Sequence, residues 1–374
     1  MPAQPMPLLF TPLVWRGARL RNRIIVAPMC QYLAEEGVPG PWHLAHHGRL
    51  ALSGAGLVIA EATAVMRDGR ITHGCTGLWN DKQVAAWRAI TDFHRSQGVL
   101  SAVQLNHAGG KGATQRPWEG NGPLPESGPD AFWPTLGPSP IPMREGWRAP
   151  RAATEAELDE IVAAFAAAAR RAVAAGFDMV EIHGAHGYLL HEFVSPVMNQ
   201  REDAYGGDAA RRQRLPLRVA EAVRAAIPDG MPLLYRASLE DNLPGGLKLE
   251  ESLALMGALK ERGVDAIDCS AGGIGLPVSL MQTKQPHGFQ VHLAEAVKRA
   301  TGLPSIAVGL ITEPLLAEAI LAEGRADAVA LAREFIADAS WPYRAARELG
   351  LERPAEVLPP SYAFYLNRRA AAQR

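Results

Sequence analysis

The sequence predicts a single (β/α)8 barrel, and three observations carry that prediction. Eight short apolar, β-branched runs are spread over the 374 residues, with helix-periodic segments between most of them. The runs are almost continuously apolar, as parallel strands covered on both faces must be. An open doubly wound sheet would use about five to seven strands and a glycine-rich turn. The nearest approach to that turn, Ala271-Gly272-Gly273-Ile274-Gly275, lacks the third glycine of GxGxxG.

Taken in order, the first strand falls at 22–29 (NRIIVAPM) and the second at 54–62 (GAGLVIAEA). A helix over 81–97 leads to the third strand, 100–108 (LSAVQLNHA). Thr154 and Glu157 read as a capping box at the start of the helix 155–175. Within it Leu158, Ile161, Val162, Phe165, Ala169 and Val173 recur at helical spacing. The remaining strands are 177–183 (FDMVEIH), 231–238 (MPLLYRAS), 264–270 (VDAIDCS), 304–309 (PSIAVG) and 326–332 (ADAVALA). Helices over 211–226, 249–262, 290–301 and 313–323 alternate with them, the last opening with Thr312 and an early Pro314.

Two connections exceed the usual loop length. Residues 107–153 hold nine prolines together with Trp118 and Trp133, and 271–289 are rich in glycine and proline. Both follow strands, which puts them at the C-terminal face where barrels build their sites. The long excursion reads as a lid or as a disordered insertion; its tryptophans and Phe132 favour the lid. One domain spanning 1–374 is expected, with 350–374 as a C-terminal segment suited to a subunit interface.

Composition excludes several classes. With 38 basic and 39 acidic side chains and a formal charge of −1, there is no electrostatic case for nucleic acid or anionic membrane as a partner. Cys30, Cys75 and Cys269 form no CxxC pair, which argues against a zinc ribbon, an iron–sulfur site and a disulfide framework. The opening MPAQPMPLLFTPLVWRG has no basic n-region, and no run approaches the roughly 18 apolar residues of a membrane span. A cytoplasmic protein is expected.

Polar groups inside strands are costly unless used, and here they cluster at strand ends. Tyr32 follows the first strand, Gln104 to His107 end the third, and His183 to Tyr188 end the fourth. Arg236 lies in the fifth strand and Arg333 follows the eighth. His183, His186, His191 and Glu192 admit a metal-dependent hydrolase or lyase, although a helical metal pair prefers i, i+4 spacing. The two histidines also suit a carbonyl clamp, with two ring N–H donors stabilising an enolate-like oxygen. Tyr188 fits a proton donor or a packing aromatic, and Arg236 an ordinary ion pair at the core edge.

These residues also carry a family resemblance. Ala27-Pro28-Met29-Cys30-Gln31-Tyr32, Glu61-Ala62, Gln104-Leu105-x-His107-Ala108-Gly109 and His183-x-x-His186-Gly187-Tyr188 resemble the old yellow enzymes. Arg201-x-Asp203-x-Tyr205-Gly206-Gly207 and Arg333-Glu334 do so as well. Cys30 and Arg116-Pro117-Trp118-Glu119-Gly120 are similar to the subgroup of bacterial xenobiotic reductases and thermostable ene-reductases.

The resemblance implies tightly but non-covalently bound FMN, NADPH (or NADH) as hydride donor, and reduction of the activated C=C bond of an enone. Ala27, Pro28, Met29, Cys30 and Ala62 would line the flavin, Gln104 would bond its pyrimidine edge, and Arg236 would stand near its N1. Gly309, Ala332 and Arg333 would hold the phosphate, a location typical of barrels. His183 and His186 would bind the substrate carbonyl, Tyr188 would protonate the α-carbon, and Tyr32 would touch the substrate or cap the pocket. Cys30 would tune the flavin without covalent chemistry.

Three positions depart from the family pattern. Ala332 stands where glycine is usual, Gly110 where close relatives carry arginine, and Tyr365 where xenobiotic reductases carry tryptophan. Tyr365 or Arg368 would enter a neighbouring subunit's site in a homodimer or homotetramer.

Overall fold

The computed structural model describes residues 6–128, 130–275 and 284–372. All eight expected strands form, and they close into one parallel barrel in chain order. They are β1 (Ile24–Val26), β2 (Leu57–Ala64), β3 (Leu100–Asn106) and β4 (Met179–Gly184), then β5 (Leu233–Ser238), β6 (Ala266–Ser270), β7 (Ser305–Ala307) and β8 (Ala328–Leu331). The helices following them are α1 (Pro41–Ala51), α2 (Asp81–Ser96), α3 (Glu155–Ala174), α4 (Arg214–Ala226), α5 (Leu249–Glu261), α6 (Val291–Thr301), α7 (Pro314–Ala322) and α8 (Trp341–Glu348). The Thr154 hydroxyl accepts from the Glu157 N–H at 3.3 Å, completing the capping box that starts α3.

The helix expected at 211–226 is broken at Gln213, with a short turn Ala209–Arg212 ahead of α4. Pro216 explains the break, because it has no N–H for the Arg212 carbonyl and its ring crowds that position. Helix α1 has no counterpart among the expected elements. Its buried positions are His43, His47, Leu50 and Ala51, so half of its inward face consists of histidine.

Two cores hold the fold. A large layer between strands and helices includes Trp87, Phe165, Phe193 and Trp341. A smaller interior core stacks Ile25, Leu57, Ala102, Met179, Leu234 and Ala266 from successive strands. Trp15 and Leu20 join it from the antiparallel hairpin Leu13–Trp15/Ala18–Leu20, which plugs the N-terminal end. The C-terminal end is left for chemistry.

The excursion 107–153 is folded against this open end, residue 129 lying outside the described residues. Its strands Leu136–Gly137 and Arg151–Ala152 pair in parallel, and the Trp133 indole donates to the Asp68 carbonyl at 2.8 Å. Of the second long loop, residues 276–283 lie outside the described residues. Among the described residues no helix is long and apolar enough to cross a membrane.

Candidate active site

Strand alternation builds the site in layers. Ala102, Met179, Leu234 and Ala266 are inward and apolar. Two residues further along the same strands, on the same face, come Gln104, Glu181, Arg236 and Asp268. Two more bring Asn106, His183, Ser238 and Ser270 to the rim. Register sets Gln104 beside Glu181, Arg236 beside both His183 and Asp268, and Ser238 beside Ser270.

In the middle layer the Gln104 amide donates to Glu181 Oε1 at 2.8 Å, and Arg236 Nε lies 3.4 Å from Asp268 Oδ2. Two buried carboxyls thus face one guanidinium. Burial raises the pKa of both, and the charge of Asp268 adds to the rise at Glu181. Glu181 Oε2, both Asp268 oxygens and Arg236 Nε have no hydrogen-bond partner among the described residues. Buried polar atoms need partners, and the polar edge of a ligand lying on this layer would supply them. The residues therefore fit the flavin edge expected at Gln104 and Arg236.

At the rim the two histidine rings pack edge to face with centroids 5.2 Å apart, and Tyr188 packs on His183 at 5.0 Å. Burial, then the charge of Arg236, holds both histidines well below their usual pKa, so both are neutral at pH 7. Their tautomers follow from the neighbouring donors. The Ala185 N–H donates to His183 Nδ1 at 3.2 Å, which leaves the proton on Nε2. Ser270 Oγ lies 2.8 Å from His186 Nε2 and has no other hydrogen-bond partner among the described residues. A Ser270 hydroxyl that donates to this nitrogen would place the His186 proton on Nδ1. The pair would then carry one free N–H on each ring.

His186 adopts φ +60°, and its N–H donates to Ser238 Oγ at 2.9 Å. The next residue, Gly187 at φ +76°, meets the β6 loop so closely that a Cβ would lie 2.3 Å from the Gly273 carbonyl oxygen. Lys111 Nζ ties the same two loops by donating to the His186 carbonyl at 2.7 Å and the Gly273 carbonyl at 3.3 Å. Lys111 thereby braces the loops that follow β4 and β6. At Gly110 a Cβ would meet Glu192 Oε1 and Pro150 at 2.9 Å. Glu192 accepts the Gly110 N–H, and burial pushes its carboxyl up to about 8.

The metal reading fails on geometry. His191 is fully buried; its Nδ1 accepts the Gly187 N–H at 2.9 Å and its Nε2 stands 2.9 Å from Asp241. With both ring nitrogens engaged, it has none to share with His183 and His186.

A cavity of about 1020 Å³ opens over these layers, at the top of the roughly 300–1,000 Å³ usual for ligand pockets. Tyr32, His186, Tyr188 and Arg333 line it. A shallower hollow of about 820 Å³ between α2 and α3 bears none of the strand-end residues. Cys30, Tyr32 and Tyr188 pack on a small cluster of Ala62, Ile71, Cys75 and Ala108. Glu61 holds the loop after Ala27, Pro28 and Met29 by accepting the Gln31 N–H at 2.9 Å. Burial, then the charge of Glu61, raises the Cys30 thiol well above its usual pKa; it is not a thiolate at neutral pH. Tyr32 holds φ +54°, a conformation a bulky residue keeps only under constraint.

Gly309, at φ +112°, and Ala332 precede the cavity-lining Leu310 and Arg333, and Arg333 has no carboxylate partner among the described residues. Ala332 adopts φ −111°, so this backbone does not require glycine. Tyr365 and Arg368 lie exposed on the C-terminal helix Pro360–Ala372, and neither lines the cavity of its own chain. Asp268, Ser238, Ser270 and Arg144 were missed from sequence. Extending the inward alternation of β5 and β6 by two residues would have found the first three.

Comparison with known proteins gives the family. Residues 8–352 match the NADH:flavin oxidoreductase / NADH oxidase family. The chain belongs to this family. FMN is accordingly the cofactor of this flavin oxidoreductase. It is 41% identical to an NADPH dehydrogenase of Geobacillus sp. over 352 residues, 94% of this chain and 97% of that one. An NADPH dehydrogenase of Listeria monocytogenes is 39% identical over 347 residues, 92% and 96% of the two chains. Among solved structures, morphinone reductase matches with a TM-score of 0.76 at 29% identity, covering 96% of this chain and 93% of its own. The old yellow enzyme resemblance read from the motifs is thus borne out.

Proposed function

We propose that this flavin oxidoreductase is an ene-reductase, which uses NADPH to reduce the activated C=C bond of small α,β-unsaturated carbonyl compounds in the cytoplasm. One observation carries the reading. Two neutral histidines, His183 and His186, pack edge to face beside a protonated Tyr188, and His186 and Tyr188 line the cavity. FMN, when bound against the layer of Gln104 and Arg236, would supply the hydride-transfer chemistry.

The protein's own groups do the rest. His183 Nε2–H and His186 Nδ1–H donate to the carbonyl oxygen and stabilise the negative charge that grows there. Burial lifts the Tyr188 phenol well above its ordinary pKa, so it keeps its proton until a strongly basic enolate carbon takes it. The excursion 107–153 shields this exchange from water as a lid. The C-terminal helix supports a homodimer or homotetramer: Tyr362, Phe364 and Tyr365 are exposed on it, Tyr365 at 72%. A second chain would cover them and receive Tyr365 or Arg368 at its cavity.

The purified protein is expected to be yellow, to bleach anaerobically with NADPH and to regain colour with cyclohexenone. Bound FMN that neither NADPH nor NADH reduces, or reduced enzyme that cyclohexenone leaves bleached, would overturn the reading.

A further inference from the structure

The excursion carries a small core of its own. Ile141, Met143 and Trp147 pack with Val197, Met198 and Ile274, which fixes its tip over the loops after β4 and β6. Between these anchors sits Arg144, half-buried, its guanidinium over the Trp147 ring at 5.2 Å. Both side chains line the cavity that holds His186 and Tyr188.

Arg144 stands apart from the other arginines of the excursion. Arg116, Arg148 and Arg151 each pair with a carboxylate: Glu119, Glu126 and Glu157 respectively. Arg144 makes no ion pair and no side-chain hydrogen bond among the described residues; its guanidinium rests on the indole face. Desolvating a cation without a counter-ion is unfavourable, and the aromatic contact offsets only part of that. The surroundings deepen the imbalance. The cavity lining holds Lys111, Arg144, Lys284 and Arg333 against one carboxylate, Glu240. The neighbouring Lys111 is pushed down to about 8 by burial and by the charge of Arg144. Arg333 is matched by the cofactor phosphate expected there, whereas Arg144 has no assigned anion.

We propose that Arg144, held on Trp147, binds a phosphate of the nicotinamide nucleotide at the cavity mouth. The proposal rests on the reading of the protein as a nucleotide-using oxidoreductase. A nucleotide that delivers its nicotinamide to the layer of His183 and Tyr188 must leave its phosphates and adenosine toward the mouth. A planar, pre-oriented guanidinium is the side chain best suited to a phosphate there. A carboxylate-bearing substrate offers similar chemistry, and the experiment separates the two.

The test is titration calorimetry of the FMN-loaded protein with tetrahydroNADPH and tetrahydroNADH, non-reducing analogues whose binding needs no turnover. Arg144→Ala and Arg144→Gln are expected to raise Kd about tenfold or more, the loss of one charge-assisted hydrogen bond. Arg144→Lys should fall between them and wild type. Weakening of tetrahydroNADPH alone identifies the 2′-phosphate, and equal weakening of both analogues identifies the diphosphate; either supports the proposal. Affinity in the wild type should also drop with added salt, and less so in Arg144→Gln. Phenol titration reports independently that the histidine clamp is intact in each variant. Unchanged affinity for both analogues overturns the proposal, as does an effect confined to an enone carboxylate. A wild type that binds the analogues through Arg144 but fails to reduce cyclohexenone would instead refute the ene-reductase reading.

Discussion

Replacing Ser270 with alanine should uncouple the His186 tautomer while leaving the barrel intact. The hydroxyl is 2.8 Å from His186 Nε2, in a residue 3% exposed, and has no second partner among the described residues. Its loss removes one neutral hydrogen bond, worth about 1 kcal/mol net. The ring is then free to move its proton to Nε2, which costs the clamp one of its two donors. A loss of about 1 kcal/mol corresponds to roughly fivefold weaker binding of a phenol, whose oxygen mimics the enolate. The assay is titration of the flavin absorbance with a phenol, alongside ring ¹⁵N shifts that report which nitrogen of His186 is protonated. Ser270→Thr keeps the hydroxyl and should restore both signals, and the flavin content of each variant controls for lost cofactor. A wild-type His186 protonated at Nε2, or an alanine variant unchanged in tautomer and affinity, would refute the reasoning.

Other consequences can be checked separately. Tyr188→Phe should slow enone reduction by about 10²–10⁴, the usual worth of a positioned proton donor, while NADPH still bleaches the protein; an enone rate within twofold of wild type would remove Tyr188 from the mechanism. His183→Ala should weaken phenol binding, and unchanged affinity would count against the clamp. Stability should fall in acid because burial holds His94 down to about 4 against an ordinary value of 6.5. The unfolded chain binds a proton there that the folded one refuses, so stability is highest above pH 6.5 and falls by at most about 3 kcal/mol toward pH 4. Urea midpoints at pH 7.5 and 5 would measure this, with His94→Leu expected to flatten the slope. Gly187→Ala should cost more than about 1 kcal/mol, since it combines positive φ with a close approach to Gly273; a melting temperature equal to wild type would contradict the steric argument.

The barrel was legible in the sequence because its strands are buried on both faces, so each is a run of apolar residues that needs no knowledge of its partners. The helices with an apolar stripe, such as Glu155–Ala174, were legible for the same reason. Pro41–Ala51 was not, because its inward positions hold His43 and His47, which periodicity in apolar residues does not register. Strand ends likewise pointed to His186, Tyr188 and Arg333, which line the cavity. Tertiary structure alone decided what those residues are bonded to. Ser270 lies 84 positions from His186, yet barrel closure sets it against that ring at 2.8 Å. His191 looked like a metal ligand until Gly187 and Asp241 were seen to occupy both its nitrogens. Sequence records which groups ionise and which stretches are apolar, because these are local properties. Protonation state, tautomer and unpaired charge depend on neighbours that only the closed barrel assembles.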